Sequence, residues 1–216
     1  MGRTKKAGSK KVAPALKLKK TAAKPSKASK KAQAAAKAGP VVINRAPVLE
    51  LWVAVVAERQ GFSFDEGLTF GKLVAGWFAQ SKGRALGIYE RKEEPSEQKR
   101  QARERRDREL GVEHVDCFGL HCLALRVGNE MHAVADGKAI SPGSVRGSLT
   151  RAFGDRLEDV KEAMETLAAA IPPERIGKVA YHLYERFRPE WHGWGVKGEL
   201  DLGGLAALAQ DWQAHV

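Results

Sequence analysis

The first 40 residues of this 216-residue chain cannot build a hydrophobic core. They contain twelve lysines and one arginine, no Asp or Glu, and no aromatic residue. Such a segment has too little apolar surface to offset the conformational entropy lost on folding. The composition therefore predicts a disordered basic tail over residues 1–40 and a folded region over residues 41–216.

The positive charge of the protein belongs to that tail. The whole chain carries +11, whereas residues 1–40 alone carry +13 and the other 176 residues hold 24 basic and 26 acidic side chains. Cations on a flexible segment neutralise phosphates and release counterions without reading bases. This predicts sequence-nonspecific nucleic-acid binding, with DNA favoured over RNA because no base-stacking aromatic motif is visible in the predicted hairpin. The candidate phosphate contacts in the tail are its paired lysines, Lys5, Lys6, Lys10, Lys11, Lys19, Lys20, Lys30 and Lys31.

The segment AAKPSKASKKAQAAAKA resembles the tails of linker histones and the lysine-rich extensions of some bacterial nucleoid proteins. The resemblance is one of composition, and it implies a chromatin- or nucleoid-associated protein in the nucleus or nucleoid. Two other uses of the tail stay open. Its lysine pairs also suit an import signal, and a mitochondrial presequence is likewise basic and free of acids, although Arg3 is the one arginine of the tail.

Helical periodicity begins near residue 47. Pro47 suits a first helical turn, Leu49, Trp52 and Val56 share a stripe, and Gly61 ends the pattern. A capping box of Ser63 and Glu66 predicts a second helix, buried against its neighbour, with Leu68, Leu73, Val74, Trp77 and Phe78 as its apolar residues. Its glycines at 67, 71 and 76 weaken a helix unless another backbone passes close by.

The rest of the folded region predicts one hairpin followed by helices. Residues 122–127 and 130–135 alternate in hydrophobicity around Gly128-Asn129, a two-residue turn. Pro142 begins one helix, and Asp155 with Glu158 suggests a cap for the next. Pro172-Pro173 ends that second helix and begins a third. The short connection predicts that the second and third helices form an antiparallel pair. The fold class is mainly α (α+β), a single helical domain with a small β-hairpin near residues 120–136. The series APVLELWVAVVAERQGF, FAQSKGRALGIYE and GWGVKGELDL resembles a domain of uncharacterised bacterial proteins, which implies no activity.

The segment HVDCFGLHC holds two histidines, His114 and His121, and both cysteines of the chain, Cys117 and Cys122. Structural zinc is usually bound by two ligand pairs from separate parts of a fold, and here no second pair follows, although His132 lies on the facing strand. On an extended strand positions 114 and 117 point to opposite faces, and we expect the same of 117 and 122. The pattern therefore predicts no metal, with Val115, Cys117, Leu123 and Leu125 as core residues.

Two groups of cations in the folded region are further candidates for phosphate binding. Gly83 suggests a left-handed helix end at Ser81-Lys82-Gly83-Arg84, where Lys82 and Arg84 either contact a phosphate or only stabilise the helix dipole. Residues 95–110 predict a charged helix on which Lys99, Arg103 and Arg106 form a stripe free of acids. The other interpretation is a solvated connector helix held by internal ion pairs.

Other classes of function have weaker support. Trp191–Gly198 can stack on bases, or its tryptophans can cover the core. No nucleophile elbow, phosphate-binding loop or dinucleotide fingerprint occurs, so the sequence indicates neither catalytic residues nor a cofactor. No apolar run approaches the roughly 18 residues of a membrane span. The alternatives to nucleic-acid binding are a protein-interaction or scaffold domain whose tail is only a localisation signal, and a small enzyme without a recognisable motif.

Overall fold

A computed structural model describes residues 40–89, 96–190, 192–193 and 195–214. They form a mainly helical fold with a small antiparallel sheet, as the sequence predicts. At its centre is helix α1 (Arg45–Arg59), in which every residue from Val48 to Ala57 is buried. The prediction of a single apolar stripe was therefore wrong, because other elements surround this helix on all sides. A helix buried on all sides needs apolar residues on every face, and the run VLELWVAVVA provides them, with Glu50 as its one charged residue.

Helix α2 (Phe64–Ala85) packs along α1 and is the element most extensively in contact with it. Its predicted capping box is confirmed: the Ser63 Oγ accepts from the Glu66 N–H at 3.2 Å, and the Glu66 Oε2 accepts from the Ser63 N–H at 2.6 Å. Gly67 and Gly71 permit close packing, since a Cβ at either position would collide with the α1 backbone, at the carbonyl groups of Ala54 and Glu50. The prediction that another backbone passes close by is confirmed at these two glycines. It fails at Gly76, which faces open space.

Five further helices complete the helical part of the described chain: α3 (Glu97–Glu109), α4 (Pro142–Phe153), α5 (Leu157–Ala169), α6 (Pro173–Phe187) and α7 (Leu202–Ala214). The predicted cap of α5 was wrong: a 3-10 turn over Gly154–Arg156 precedes it, and no side chain caps its first turn. The predicted pairing of α5 with α6 is not the main contact of either helix, because both pack on α1 and α5 additionally packs on α7.

The strands form two antiparallel sheets. Strand β1 (Val41–Ile43) pairs with β6 (Gly198–Leu200), and β2 (Val112–Cys117), β3 (Leu120–Val127), β4 (Glu130–Ala135) and β5 (Lys138–Ala139) follow one another across the second sheet. The predicted hairpin is confirmed as β3 and β4, with Val127 opposite Glu130 and Gly128 at a φ of 64°. Buried residues from both sheets and from α1, α2 and α4 to α7 form one hydrophobic cluster.

Candidate nucleic-acid interface

The structure describes only the second of the two regions predicted to bind phosphate. The eight tail lysines (Lys5, Lys6, Lys10, Lys11, Lys19, Lys20, Lys30 and Lys31), and with them the predicted disorder of the tail, lie outside the described residues. Trp191 and Trp194, predicted to stack on bases or to cover the core, lie outside them as well. The candidate cations of the folded region, Lys82, Arg84, Lys99, Arg103 and Arg106, all lie within the described residues.

Lys82 and Arg84 lie within the last turn of α2, so the prediction of a loop at this point was wrong. The helix continues to Ala85, and Gly87, with a φ of 70°, takes the left-handed conformation expected of Gly83. Gly83 is instead buried against the ring of Tyr89, where a side chain would not fit. Both cations therefore belong to a helix carboxyl end, where they also stabilise the dipole.

A cluster of three cations from distant parts of the sequence forms beside this helix end. It consists of Arg45, at the start of α1, Lys82, and Arg188, which follows α6. Burial, together with the charges of Arg45 and Arg188, lowers the pKa of Lys82 below its ordinary value, and burial followed by the charge of Arg188 lowers that of Arg45. The Arg45 Nε donates to the carbonyl of Pro189 at 2.6 Å. Arg45 and Arg188 were not predicted as candidates, since only the fold brings them close to Lys82.

Helix α3 has no buried residue and matches the predicted charged helix within two residues at its start. Its stripe is not free of acids, however: the Arg103 Nε lies 3.8 Å from the Asp107 Oδ2, one turn further along. Arg105 is paired with Glu109 in the same way, at 3.0 Å. Lys99 and Arg106 are exposed, and the Arg106 guanidinium lies beside Gly137 in the turn between β4 and β5. The helix thus carries a partly neutralised basic surface.

A groove of about 620 Å³ lies between α2, α3, α4 and the sheet. We call it the α2–α4 groove. Its wall on α2 includes Gly76 and Trp77, and Arg103 reaches it from α3. Trp77 was predicted to be buried, but it lines this groove and 38% of it is exposed. The remaining lining is apolar or hydroxyl-bearing apart from Lys72, Gln80 and Asp136: Leu73, Leu123, Val134, Ala135, Ile140, Ser141, Ser144, Val145 and Ser148.

A second cavity of about 570 Å³ lies beside the β1–β6 ribbon. Its lining mixes both signs of charge, with Arg186, Arg188 and Lys197 facing Glu190, Glu199 and Asp201. Such a surface has no strong preference for anions.

The segment HVDCFGLHC forms the hairpin of β2 and β3. Phe118 and Gly119 make its turn, both at positive φ. Cys117 and Cys122 are fully buried on the same face, because the turn reverses the chain and places Val115 opposite Cys122. The expectation that the two cysteines face opposite ways was wrong.

The histidines of this segment lie on the opposite face of the hairpin from the cysteines. His114 and His121 are exposed there. In the described part of the chain no three His, Cys, Asp or Glu side chains are grouped so as to hold a metal ion. Leu123 and Leu125 also lie on this outer face and are half-buried, whereas Cys122 and Ala124 point into the core in their place.

Comparison with known proteins adds no family to this description. No protein-family model, no curated protein and no solved structure matches the chain. None of the described helices combines the length and the hydropathy that a membrane span requires.

Proposed function

We propose that this protein binds nucleic acid without sequence preference, DNA ahead of RNA, through its basic tail, as a chromatin- or nucleoid-associated protein. The observation that carries the proposal is the separation of charge along the chain. Thirteen cations and no acids occupy residues 1–40, while the other 176 residues are slightly acidic. A segment of this kind gains affinity from counterion release, which requires neither a fixed conformation nor contacts to base edges.

The folded region supports the proposal at two places. The cluster of Arg45, Lys82 and Arg188 begins five residues after the tail ends, so it can add contacts to a phosphate backbone that the tail holds. Helix α3 offers exposed cations, Lys99 and Arg106 among them. These cations are few. They add a small number of phosphate contacts, while the tail supplies most of the binding energy.

The second candidate function is a protein-interaction domain whose tail serves only as a localisation signal. It is favoured by the ion pairs on α3, because Arg103 and Arg105 are each matched by an acid one turn away. Charges paired in this way contribute little to the field that attracts a polyanion.

Charge removal in the full-length protein tests the proposal. The eight paired lysines of the tail are replaced by glutamine in one variant and by arginine in its matched control, which keeps the charge. Affinity for a DNA duplex is measured by fluorescence anisotropy at about 50 and 200 mM salt. The glutamine variant should bind orders of magnitude more weakly with a flatter salt dependence, and the arginine variant should resemble the wild type. Equal affinity of all three proteins at both salt concentrations would overturn the proposal and favour the second candidate.

A further inference from the structure

Gly76 is the one glycine inside α2 whose presence the fold itself does not require. Gly67 and Gly71 stand where the backbone of α1 leaves no room for a Cβ, and Gly83 stands against Tyr89. A Cβ at Gly76 would meet nothing within 4 Å, and Gly76 lines the α2–α4 groove. Glycine weakens the interior of a helix relative to alanine, and one use of it is to let a ligand approach the backbone closely. Its position therefore points to an external group that packs on α2 in the groove.

The next residue, Trp77, offers that group an aromatic surface. It is 38% exposed, whereas Trp52 is fully buried and Trp212 packs against the core. An indole that lines a groove and remains open to solvent provides a face on which a planar ring can stack. A nucleic-acid base stacks on such a face whatever its identity.

The facing wall and the rim supply donors for an anion. Helix α4 begins at the groove, and Ser141, the residue before its first turn, makes no capping hydrogen bond with its side chain. Ser144 and Ser148 line the same wall, and Arg103 reaches the groove from α3. Hydroxyl groups, the free N–H groups of a first helical turn and a guanidinium are the donors that bind phosphate oxygens.

The net charge of the groove is nevertheless small. Lys72 is bound to the buried carboxylate of Glu50, with the Nζ 3.0 Å from the Oε1, Arg103 is paired with Asp107, and Asp136 adds an acid to the rim. Attraction of a polyanion by the field of the groove is therefore weak. A ligand of this groove would therefore depend on stacking and directed hydrogen bonds, whereas the tail acts through charge alone.

We infer that the α2–α4 groove binds one nucleotide of a single strand, with the base stacked on Trp77 over Gly76 and the phosphate at the start of α4 beside Arg103. The inference rests on the proposed function and adds a preference to it. Bases in a duplex are already stacked on one another, so only an unpaired strand can present one to Trp77. The folded region then makes the protein favour single-stranded over double-stranded nucleic acid.

The decisive experiment replaces Gly76 with alanine in the full-length protein. Alanine favours the helix and meets no neighbour, so the melting temperature should rise, while the added methyl group occupies the surface on which the base packs. Affinity for a short oligothymidine should fall about fivefold or more. Gly147→Ala in α4 is the matched control, since its Cβ also meets open space but lies outside the groove lining. It should raise the melting temperature and leave binding unchanged.

Trp77→Ala is the second variant and separates stacking from charge. It should weaken binding to the oligothymidine by a similar or larger factor at both about 50 and 200 mM salt, leaving the salt slope unchanged, and it should affect duplex binding little. Wild-type affinity for single strands in both Gly76→Ala and Trp77→Ala would overturn the inference while leaving the tail-based function intact. A wild-type protein that binds neither strand nor duplex would overturn the proposed function and this inference together.

Discussion

The carboxylate of Glu66 joins the start of α2 to strand β4, whose Met131 lies 65 residues further along the chain. The Met131 N–H donates to the Glu66 Oε1 at 2.6 Å, and the Oε2 of the same carboxylate accepts from the Ser63 N–H at 2.6 Å. Two residues further along β4, the Ala133 N–H donates to the Thr69 Oγ1 at 2.9 Å. Strand β5 covers only the end of β4. At this edge of β4, the Glu66 and Thr69 side chains of α2 thus accept the hydrogen bonds that a further strand would otherwise accept.

Glu66→Gln should therefore destabilise the protein by about 1–3 kcal/mol. Glutamine keeps the size of the side chain, but its amide nitrogen cannot accept a hydrogen bond, so either the Ser63 or the Met131 N–H loses its partner. The free energy of unfolding is measured with urea. Glu174→Gln, at an exposed position in the first turn of α6, is the control and should change it by less than about 0.5 kcal/mol. Equal effects of the two substitutions would show that the Glu66 contacts do not stabilise the fold.

Gly119→Ala should cost more stability than Gly128→Ala. Both glycines occupy hairpin turns at similar positive φ, 70° and 64°, so both substitutions place an L side chain in the left-handed region, at a cost of about 1–2 kcal/mol. Only at Gly119 would the new Cβ also lie 2.7 Å from a carbonyl oxygen, that of Gly177 in α6. We expect a further loss of about 1–3 kcal/mol there, seen as a lower urea midpoint. Equal losses of stability in the two variants would mean that the β2–β3 turn is not packed closely against α6.

Replacement of Lys99, Arg103 and Arg106 by glutamine should weaken DNA binding while leaving the melting temperature nearly unchanged. Glutamine keeps helix propensity, and the exposed pair of Arg103 and Asp107 contributes at most about 1 kcal/mol. Each phosphate contact removed should lower the slope of log affinity against log salt by about one. The slope is measured for residues 41–216 and for the full-length protein, each with and without the three changes. The comparison separates the contacts of α3 from those of the tail. An unchanged slope in both backgrounds would exclude α3 from the interface.

Alkaline pH should destabilise the protein. Burial raises the pKa of the Cys122 thiol from its ordinary 9.0 to about 12 and that of Tyr184 from 10.0 to about 12, and burial also raises the pKa of Cys117. Above about pH 9 the unfolded chain therefore loses protons that the folded chain retains. The contribution of these groups to stability is complete below that pH and is lost as the pH rises, by up to about 1.4 kcal/mol per pH unit for each thiol. Urea denaturation from neutral pH to about pH 10.5 measures this. Cys122→Ala should show a shallower fall, and an identical fall would mean that this thiol does not contribute.

Local signals predicted most of the helical elements. The capping box at Ser63 and the prolines at 142 and 172–173 act within a single turn of helix, so their effect on the backbone does not depend on the rest of the fold. The Gly128-Asn129 turn is equally local. These features were correctly predicted for that reason.

The features that the sequence did not predict depend on contacts between distant residues. Strands β1 and β6 have three residues each and pair across more than 150 intervening positions. Strand β2 ends at Cys117, and a turn of Phe118 and Gly119 then places both cysteines on one face. Phe118 has a φ of 58°, which is unusual for a bulky residue, so the sequence did not indicate a turn at this position. The α2–α4 groove needs α2, α3, α4 and the sheet together, so no window of sequence identifies Gly76 and Trp77 as its lining.

The burial of the central part of α1, from Val48 to Ala57, has a consequence for how the molecule opens. The amide hydrogens of these residues can exchange with solvent only when the surrounding elements separate, since this part of α1 is buried on every face in the folded state. We expect these amides to exchange at the rate of global unfolding, and those of the exposed helix α3 to exchange far faster through local fraying. Proteolytic cleavage should follow the same order. The slowest-exchanging part of the molecule would then be a helix that begins five residues after the segment with the largest net charge.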